Sequence, residues 1–237
     1  MKNEHKTLIK AAGENALILY FSSTINDKTA SKIQCATLKI KQSLSNYILD
    51  LTPSYASLLV TFDMYKIDHH QLRNKLRTLL ATIDDVQAPN HQHIVELPVC
   101  YHEDFAPELP LIAKQASLSC DDVIQLHQST VYTVYAIGFA PGFAYLGEVN
   151  DKIAMPRLAT PRLKVPKGAV AIADRQTAIY PNTSPGGWNI IGCSPIIMFD
   201  QKATPTMPVN VGDKVKFTAI SKEEFFTLGG KFPMFHD

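Results

Sequence analysis

Seven of the chain's eleven glycines and seven of its fifteen prolines fall between Gly138 and Pro195, and this clustering restricts what the second half can become. Gly and Pro interrupt helices and long strands alike. What lies in and around them are short β-rich runs: Val131 to Ile137, Ala169 to Ala173, Thr177 to Tyr180, Asn189 to Ile191, Ile196 to Phe199 and Val215 to Ile220. Short strands punctuated by Gly and Pro turns predict a β-barrel or sandwich. Gly212-Asp213 supplies the turn before the last of them.

The first 90 or so residues follow another pattern. Ala16 to Phe21 is an apolar run of strand length. After Asn26-Asp27, the spacing of Ile33, Ala36, Ile40, Leu44, Tyr47 and Ile48 predicts an amphipathic helix. Ala56, Leu58, Val60 and Phe62 alternate with less apolar neighbours, as in a strand with one buried face. A second helix opens at Asp68, a good cap, and carries Leu72, Leu76, Leu79, Leu80 and Ile83 on one side. Two helices interleaved with strands predict an α/β sandwich with both helices on one face of a sheet. Pro89 and the polar run Asn90-His91-Gln92-His93 mark a domain boundary. The expected fold class is therefore α+β, with a small N-terminal α/β domain over 1–90 and a β-barrel domain over 91–237. Past the boundary, a strand from His93 to Cys100 precedes two short helices. One begins near Pro110, the other at Ser119, which forms a capping-box-like pair with Asp122.

Composition narrows the function classes. A net charge of +1 argues against nucleic acid as the main partner, because phosphate binding needs an excess of Lys and Arg. The charge is unevenly spread: Ala81 to Asp122 holds eight acidic residues and one basic, whereas Asp151 to Tyr180 holds six basic and two acidic. Two solvated faces of opposite sign, or a basic stretch facing an anionic ligand or partner, both fit that pattern. Cys35, Cys100, Cys120 and Cys193 are scattered without a C-x-x-C pair, which predicts free thiols. No apolar run approaches the roughly 20 residues that span a bilayer, and Met1-Lys2-Asn3-Glu4-His5 lacks a signal-peptide core. A reduced, cytoplasmic setting away from membranes is expected. His91 and His93 would share a strand face, but no third ligand accompanies them, so no metal is expected. No Walker-type phosphate loop, G-x-S-x-G elbow or H-E-x-x-H pair occurs.

The chemistry is concentrated in the Gly- and Pro-rich stretch. It opens with Gly138-Phe139-Ala140-Pro141-Gly142-Phe143-Ala144-Tyr145-Leu146-Gly147 and continues through Met155-Pro156-Arg157, Thr160-Pro161-Arg162 and Val165-Pro166-Lys167-Gly168. Gln176-Thr177, Ile179-Tyr180-Pro181 and Ser184-Pro185-Gly186-Gly187-Trp188 close it. Loops of Pro and Gly have little conformational entropy left to lose on binding, so they preorganise a site. Arg157 and Arg162 each follow a proline, and guanidinium forks leaving a stiff backbone suit carboxylate or phosphate. Gly186-Gly187 beside the chain's single Trp would let backbone amides approach a ligand while the indole forms a flat wall. Read as chemistry alone, this is a preorganised anion-binding or protein-docking surface, with ordinary turns and surface ion pairs as the bland alternative.

Taken in order, these motifs resemble the family of 5-oxoprolinase B subunits, which also includes allophanate hydrolase subunit 1-like proteins and the sporulation kinase inhibitor. Leu126-His127-Gln128-Ser129, Phe199-Asp200 and Gly212-Asp213 fit the same pattern. The resemblance implies a C-terminal cyclophilin-like β-barrel after the small α/β domain. It implies two partners, the 5-oxoprolinase C subunit and an A subunit of the lactam-utilisation type. Together the three cleave 5-oxoproline to glutamate, with ATP shared between subunits. On the matching positions, Arg157 and Arg162 would hold the substrate carboxylate or ATP phosphates, and Gly186, Gly187 and Trp188 would line the pocket. His127, Gln176 and Tyr180 would donate or shuttle protons. Phe139, Pro141, Gly142, Phe143 and Tyr145 would shape the loop beside them. Within the same family, the alternatives are a regulatory module that inhibits a histidine kinase and a hydrolase component for allophanate or another urea-derived amide. Cys193 stands where the family often has Arg or His, which removes one cation from the implied site.

Overall fold

The computed structural model describes residues 7–83 and 94–233; the expected boundary at Pro89 to His93, with the His91/His93 pair, lies outside the described residues. The chain divides into two compact units, Met1–His91 and Gln92–Asp237.

The first unit runs β1 (Leu8–Gly13), β2 (Ala16–Tyr20), α1 (Asp27–Leu44), β3 (Ile48–Ser54), β4 (Ser57–Phe62) and α2 (His69–Leu80). Its four strands form an antiparallel sheet in the order β1-β2-β4-β3. Leu17, Leu19, Leu58, Val60 and Phe62 meet Ile33, Ala36, Ile40, Leu72 and Leu76 of the two helices in one core. Both helices start where the sequence places a cap: the Asn26 side chain accepts from the Thr29 N–H, and Asp68 from the Gln71 N–H. The first helix is shorter than its periodicity predicts. It ends at Leu44, and Ile48 opens an edge strand instead, because residues 48–54 pair antiparallel with β4 through a tight turn at Tyr55-Ala56. Pro53 is tolerated there because β3 is an edge. A shallow groove lined by Leu44, Asn74, Lys75, Thr78, Leu79 and Thr82 lies on this unit. Its one charged group, Lys75, lies over the Tyr47 ring, so the groove offers no acid–base pair.

The second unit contains β5 (Ile94–Val99), a 3-10 turn at Glu103–Phe105, α3 (Leu109–Ala116), α4 (Cys120–Ser129), β6 (Val131–Ile137) and β7 (Ala144–Gly147). There follow β8 (Arg162–Val165), β9 (Ala169–Ala173), β10 (Gln176–Ile179), β11 (Ser184–Gly186), β12 (Asn189–Cys193), β13 (Lys214–Ala219) and α5 (Lys222–Thr227). Seven strands form a mixed sheet in the order β12-β9-β10-β7-β6-β13-β5, with β13 and β5 parallel and the rest antiparallel. Cys100, just past β5, and Cys193, at the end of β12, exchange two backbone hydrogen bonds of 2.8 and 2.9 Å, so the sheet nearly closes on itself. Val99, Val134, Leu146, Ile172, Ile179 and Phe217 fill the interior, and α3 and α4 add Ile112, Ala113 and Val123 to the same core. Ser119 and Asp122 make the full reciprocal capping box of α4. Ile196 to Phe199, expected as a strand, joins no ladder: Met198 is buried and the Ile196 N–H is satisfied by the Ser194 hydroxyl instead. The short strands β8 and β11 pair with each other as a separate two-stranded ribbon. Among the described residues no helix is long and apolar enough to cross a membrane.

Candidate functional site on the outer face of the barrel

Alternation along the strands divides the side chains of this half between two faces. On β9, Val170 and Ile172 point into the barrel core, whereas Ala169, Ala171 and Ala173 belong to a second cluster outside it. On β10, Ile179 lies in the core and Ala178 outside, with Tyr180 just beyond the strand end on the outer side. Four alanines therefore make a low floor on the outer face. Small side chains there leave room for large rings to lie close to the sheet. Phe143, Tyr180 and Trp188 occupy that room, together with Val165 of the ribbon. Phe143 is the hub: its ring meets Tyr180 at 5.2 Å and Trp188 at 5.5 Å, both nearly perpendicular, and Tyr145 at 4.8 Å. Edge-to-face pairs of this kind are attractive beyond the area that they bury.

The Gly186-Gly187-Trp188 turn is locked onto this cluster. A Cβ on Gly186 would stand 2.4 Å from the Tyr180 hydroxyl oxygen, so only glycine permits the approach. That hydroxyl accepts a hydrogen bond from the Trp188 backbone N–H. Burial, partly opposed by the charge of Arg157, pushes the Tyr180 phenol up to about 12. It therefore keeps its proton through the neutral range and is not a base. Tyr145 is also raised by burial, again with Arg157 acting against the shift.

The two arginines do different things. Arg157 is exposed, with its guanidinium carbon 5.7 Å from the Trp188 ring centre. Among the described residues it has no carboxylate within salt-bridge distance, so its charge is available to an anion. Arg162 pairs with Glu108 at 2.5 Å, and the other Glu108 oxygen accepts the Ile190 N–H at 2.8 Å. Its guanidinium thus ties the ribbon to the start of α3 and to β12. The Leu158 N–H donates to the Gly187 carbonyl at 2.7 Å, fastening the Arg157 segment to the turn as well. None of the sequence motifs pointed to Glu108. The available signal was a lone carboxylate in the apolar run Ala106-Pro107-Glu108-Leu109-Pro110-Leu111-Ile112, which has to find a partner when buried.

The three expected proton-handling residues do not meet. His127 is fully buried inside the barrel, stacked on Phe217 at 4.5 Å. Its ring nitrogens face the Tyr101 hydroxyl at 2.7 Å and the Thr177 hydroxyl at 3.0 Å. Burial pulls its pKa down to about 3, so it is neutral and works as a pin within the core. Thr177 points inward to His127, so Gln176 before it shares the outer face with Tyr180. Tyr180 lies four residue steps on from Gln176, roughly 13 Å along the strand. Gln176 lies instead opposite Gly147, next to Arg175 and its ion pairs with Glu148 and Asp151. The outer patch itself unites Arg157, Trp188, Gly186, Gly187, Tyr180, Phe143 and Tyr145.

The loop between β6 and β7 forms the rim. The Gly138 N–H donates to the Phe143 carbonyl and the Phe143 N–H to the Ala140 carbonyl, each at 3.0 Å. Gly142, at φ +90°, is wedged so tightly that an added Cβ would lie 2.7 Å from Phe199 Cβ. Pro141 is exposed, and Phe139 adopts a left-handed backbone with φ 71°. Among the described residues no group of three or more His, Cys, Asp and Glu side chains is placed to hold a metal.

Residues 7–209 match the family described as carboxyltransferase domain, subdomain C and D. The chain is 35% identical over 227 residues to the B subunit of 5-oxoprolinase from Bacillus subtilis, covering 92% of this chain and 94% of that one. The crystal structure of TTHA0988 superposes with a TM-score of 0.76 at 30% identity, over 90% of this chain but only 40% of that longer one. The urea amidolyase of K. lactis shares the fold, with a TM-score of 0.70 at 17% identity, over 93% of this chain and 15% of that one. With an aligned family domain across most of its length and a 5-oxoprolinase relative matched nearly end to end, this chain belongs to the carboxyltransferase subdomain C and D family, among its 5-oxoprolinase B-subunit members.

Proposed function

We propose that this chain is the B subunit of an ATP-dependent 5-oxoprolinase that opens the lactam of 5-oxoproline to glutamate. It acts in a reducing, cytoplasmic setting with the C subunit and a lactam-utilisation-type A subunit. On this reading the two compact units are two domains, 1–90 and 91–237, the second a cyclophilin-like barrel. The observation that carries the reading is Arg157 over the Trp188 indole, in a chain 35% identical to a 5-oxoprolinase B subunit.

The substrate is a flat five-membered ring bearing a carboxylate and an amide. Arg157 takes the carboxylate, with the buried Trp188 and Tyr180 as the floor beneath it, and the half-buried Tyr145 hydroxyl faces the lactam oxygen. An amide resists attack because its nitrogen lone pair is delocalised onto that oxygen. Hydrogen bonds aimed at the oxygen stabilise the charge that gathers there as the carbon is attacked. The patch fits a carboxylate better than a triphosphate. Arg162 is already paired with Glu108, and Arg157 alone is too little charge for three phosphates. ATP therefore belongs mainly to the partner, and no phosphoryl step is assigned to residues of this chain.

The test is reconstitution. The chain, the C and A subunits, ATP and 5-oxoproline together yield glutamate, and omission of this chain abolishes it. Turnover of allophanate in place of 5-oxoproline would reassign the substrate. Turnover of neither would remove the enzymatic reading.

A further inference from the structure

Phe139 combines two features that folding alone does not account for. Its side chain is 67% exposed, and its backbone sits at φ 71°, where a β-carbon is strained and glycine is not. One edge of the ring touches Phe143 at 5.4 Å; the rest faces solvent. The loop that carries it is held rigidly. The Gly138 and Phe143 N–H groups close it, and Gly142 locks against Phe199 and the Met198 carbonyl. An exposed aromatic on a fixed loop is preorganised to enter a pocket with little entropy lost.

We propose that Phe139 is an anchor that docks this chain onto the C subunit of its complex, entering an apolar socket about the size of a benzyl group. Phe143 links the anchor to Trp188, and Trp188 lies under Arg157, so a partner seated on Phe139 covers the anion-binding patch. The inference rests on the proposed reading of the chain as part of a multi-subunit enzyme. Two observations favour a protein partner over a lipid surface. Phe139 is a single exposed ring, and a single ring makes no membrane anchor. In TTHA0988, moreover, the same fold makes up only two fifths of a longer chain, so in that relative this module has further polypeptide attached to it.

The experiment titrates the 5-oxoprolinase C subunit into the wild-type chain and into Phe139→Gly and Phe139→Leu by calorimetry, with thermal unfolding of each variant alone. Glycine removes the ring and the backbone strain together. The proposal expects Phe139→Gly to bind at least 30-fold more weakly while its melting temperature holds or rises, with Phe139→Leu intermediate in affinity. Affinity within threefold of wild type, or a loss that tracks a fall in melting temperature, overturns the anchor and leaves the function reading intact. Failure of the wild-type chain to bind the C subunit overturns both.

Discussion

Replacing His127 with Phe keeps the ring that stacks on Phe217 but removes both of its nitrogens. The Tyr101 and Thr177 hydroxyls, now at 2.7 and 3.0 Å from those nitrogens, would be left in the core without that partner. Each orphaned buried hydroxyl costs about 1–3 kcal/mol, so with two of them His127→Phe should lose about 2–6 kcal/mol at pH 7. The triple variant Tyr101→Phe/His127→Phe/Thr177→Val removes all three polar groups and should recover to within about 1 kcal/mol of wild type. Acid adds an independent signature. The folded His127 has its pKa lowered to about 3 from 6.5, so its contribution is complete above pH 6.5 and is lost as pH falls towards 3. Within that window wild type loses about 1.4 kcal/mol per pH unit from this group, and the Phe variant loses none of it. Urea unfolding at pH 7, 6 and 5, followed by the single Trp188, measures both effects. The wild-type advantage should shrink by about 2 kcal/mol between pH 7 and 5. An advantage that stays constant across that range would refute the assignment of His127 as a neutral, sealed pin.

Two further substitutions probe the scaffold of the patch. Glu108→Ala leaves Arg162 and the Ile190 N–H without their shared partner and should cost about 3 kcal/mol, measured by urea unfolding; Glu108→Ala/Arg162→Met should regain part of it. Gly186→Ala drives a methyl to within 2.4 Å of the Tyr180 oxygen and should cost about 1–3 kcal/mol with a shift in Trp188 emission. Adding Tyr180→Phe to Gly186→Ala should relieve most of that loss, and no relief would place the strain elsewhere.

Much of the fold was legible because its signals are local. Asn26, Asp68 and Ser119 are helix caps whose chemistry needs only the next three residues, and each caps as expected. Leu58, Val60 and Phe62 advertise a buried face by simple alternation. Where pairing partners decide, local reading fails. Tyr47 and Ile48 continue the helical period of α1, yet the backbone leaves it to pair with β4. Ile196 to Phe199 has strand composition but packs beside Gly142 outside any ladder. The site followed the same division. The two Pro-Arg steps and the Gly-Gly-Trp run singled out Arg157, Arg162, Gly186, Gly187 and Trp188. Whether a guanidinium is free depends on a carboxylate 54 residues away, which separates Arg162 from Arg157. Adjacent residues on β10 point to opposite faces, which puts Thr177 against His127 inside and leaves Gln176 outside.

The central proposal is that Arg157, without a carboxylate partner among the described residues, seats the substrate carboxylate above Trp188. The most direct measurement is the steady-state dependence of glutamate formation on each substrate, comparing the reconstituted complex carrying Arg157→Ala with wild type. The account predicts a KM for 5-oxoproline raised by about tenfold to a hundredfold, from loss of a charge-assisted hydrogen bond of about 1.5–3 kcal/mol, with the KM for ATP unchanged. An unchanged KM for 5-oxoproline, or a rise confined to ATP, would contradict it.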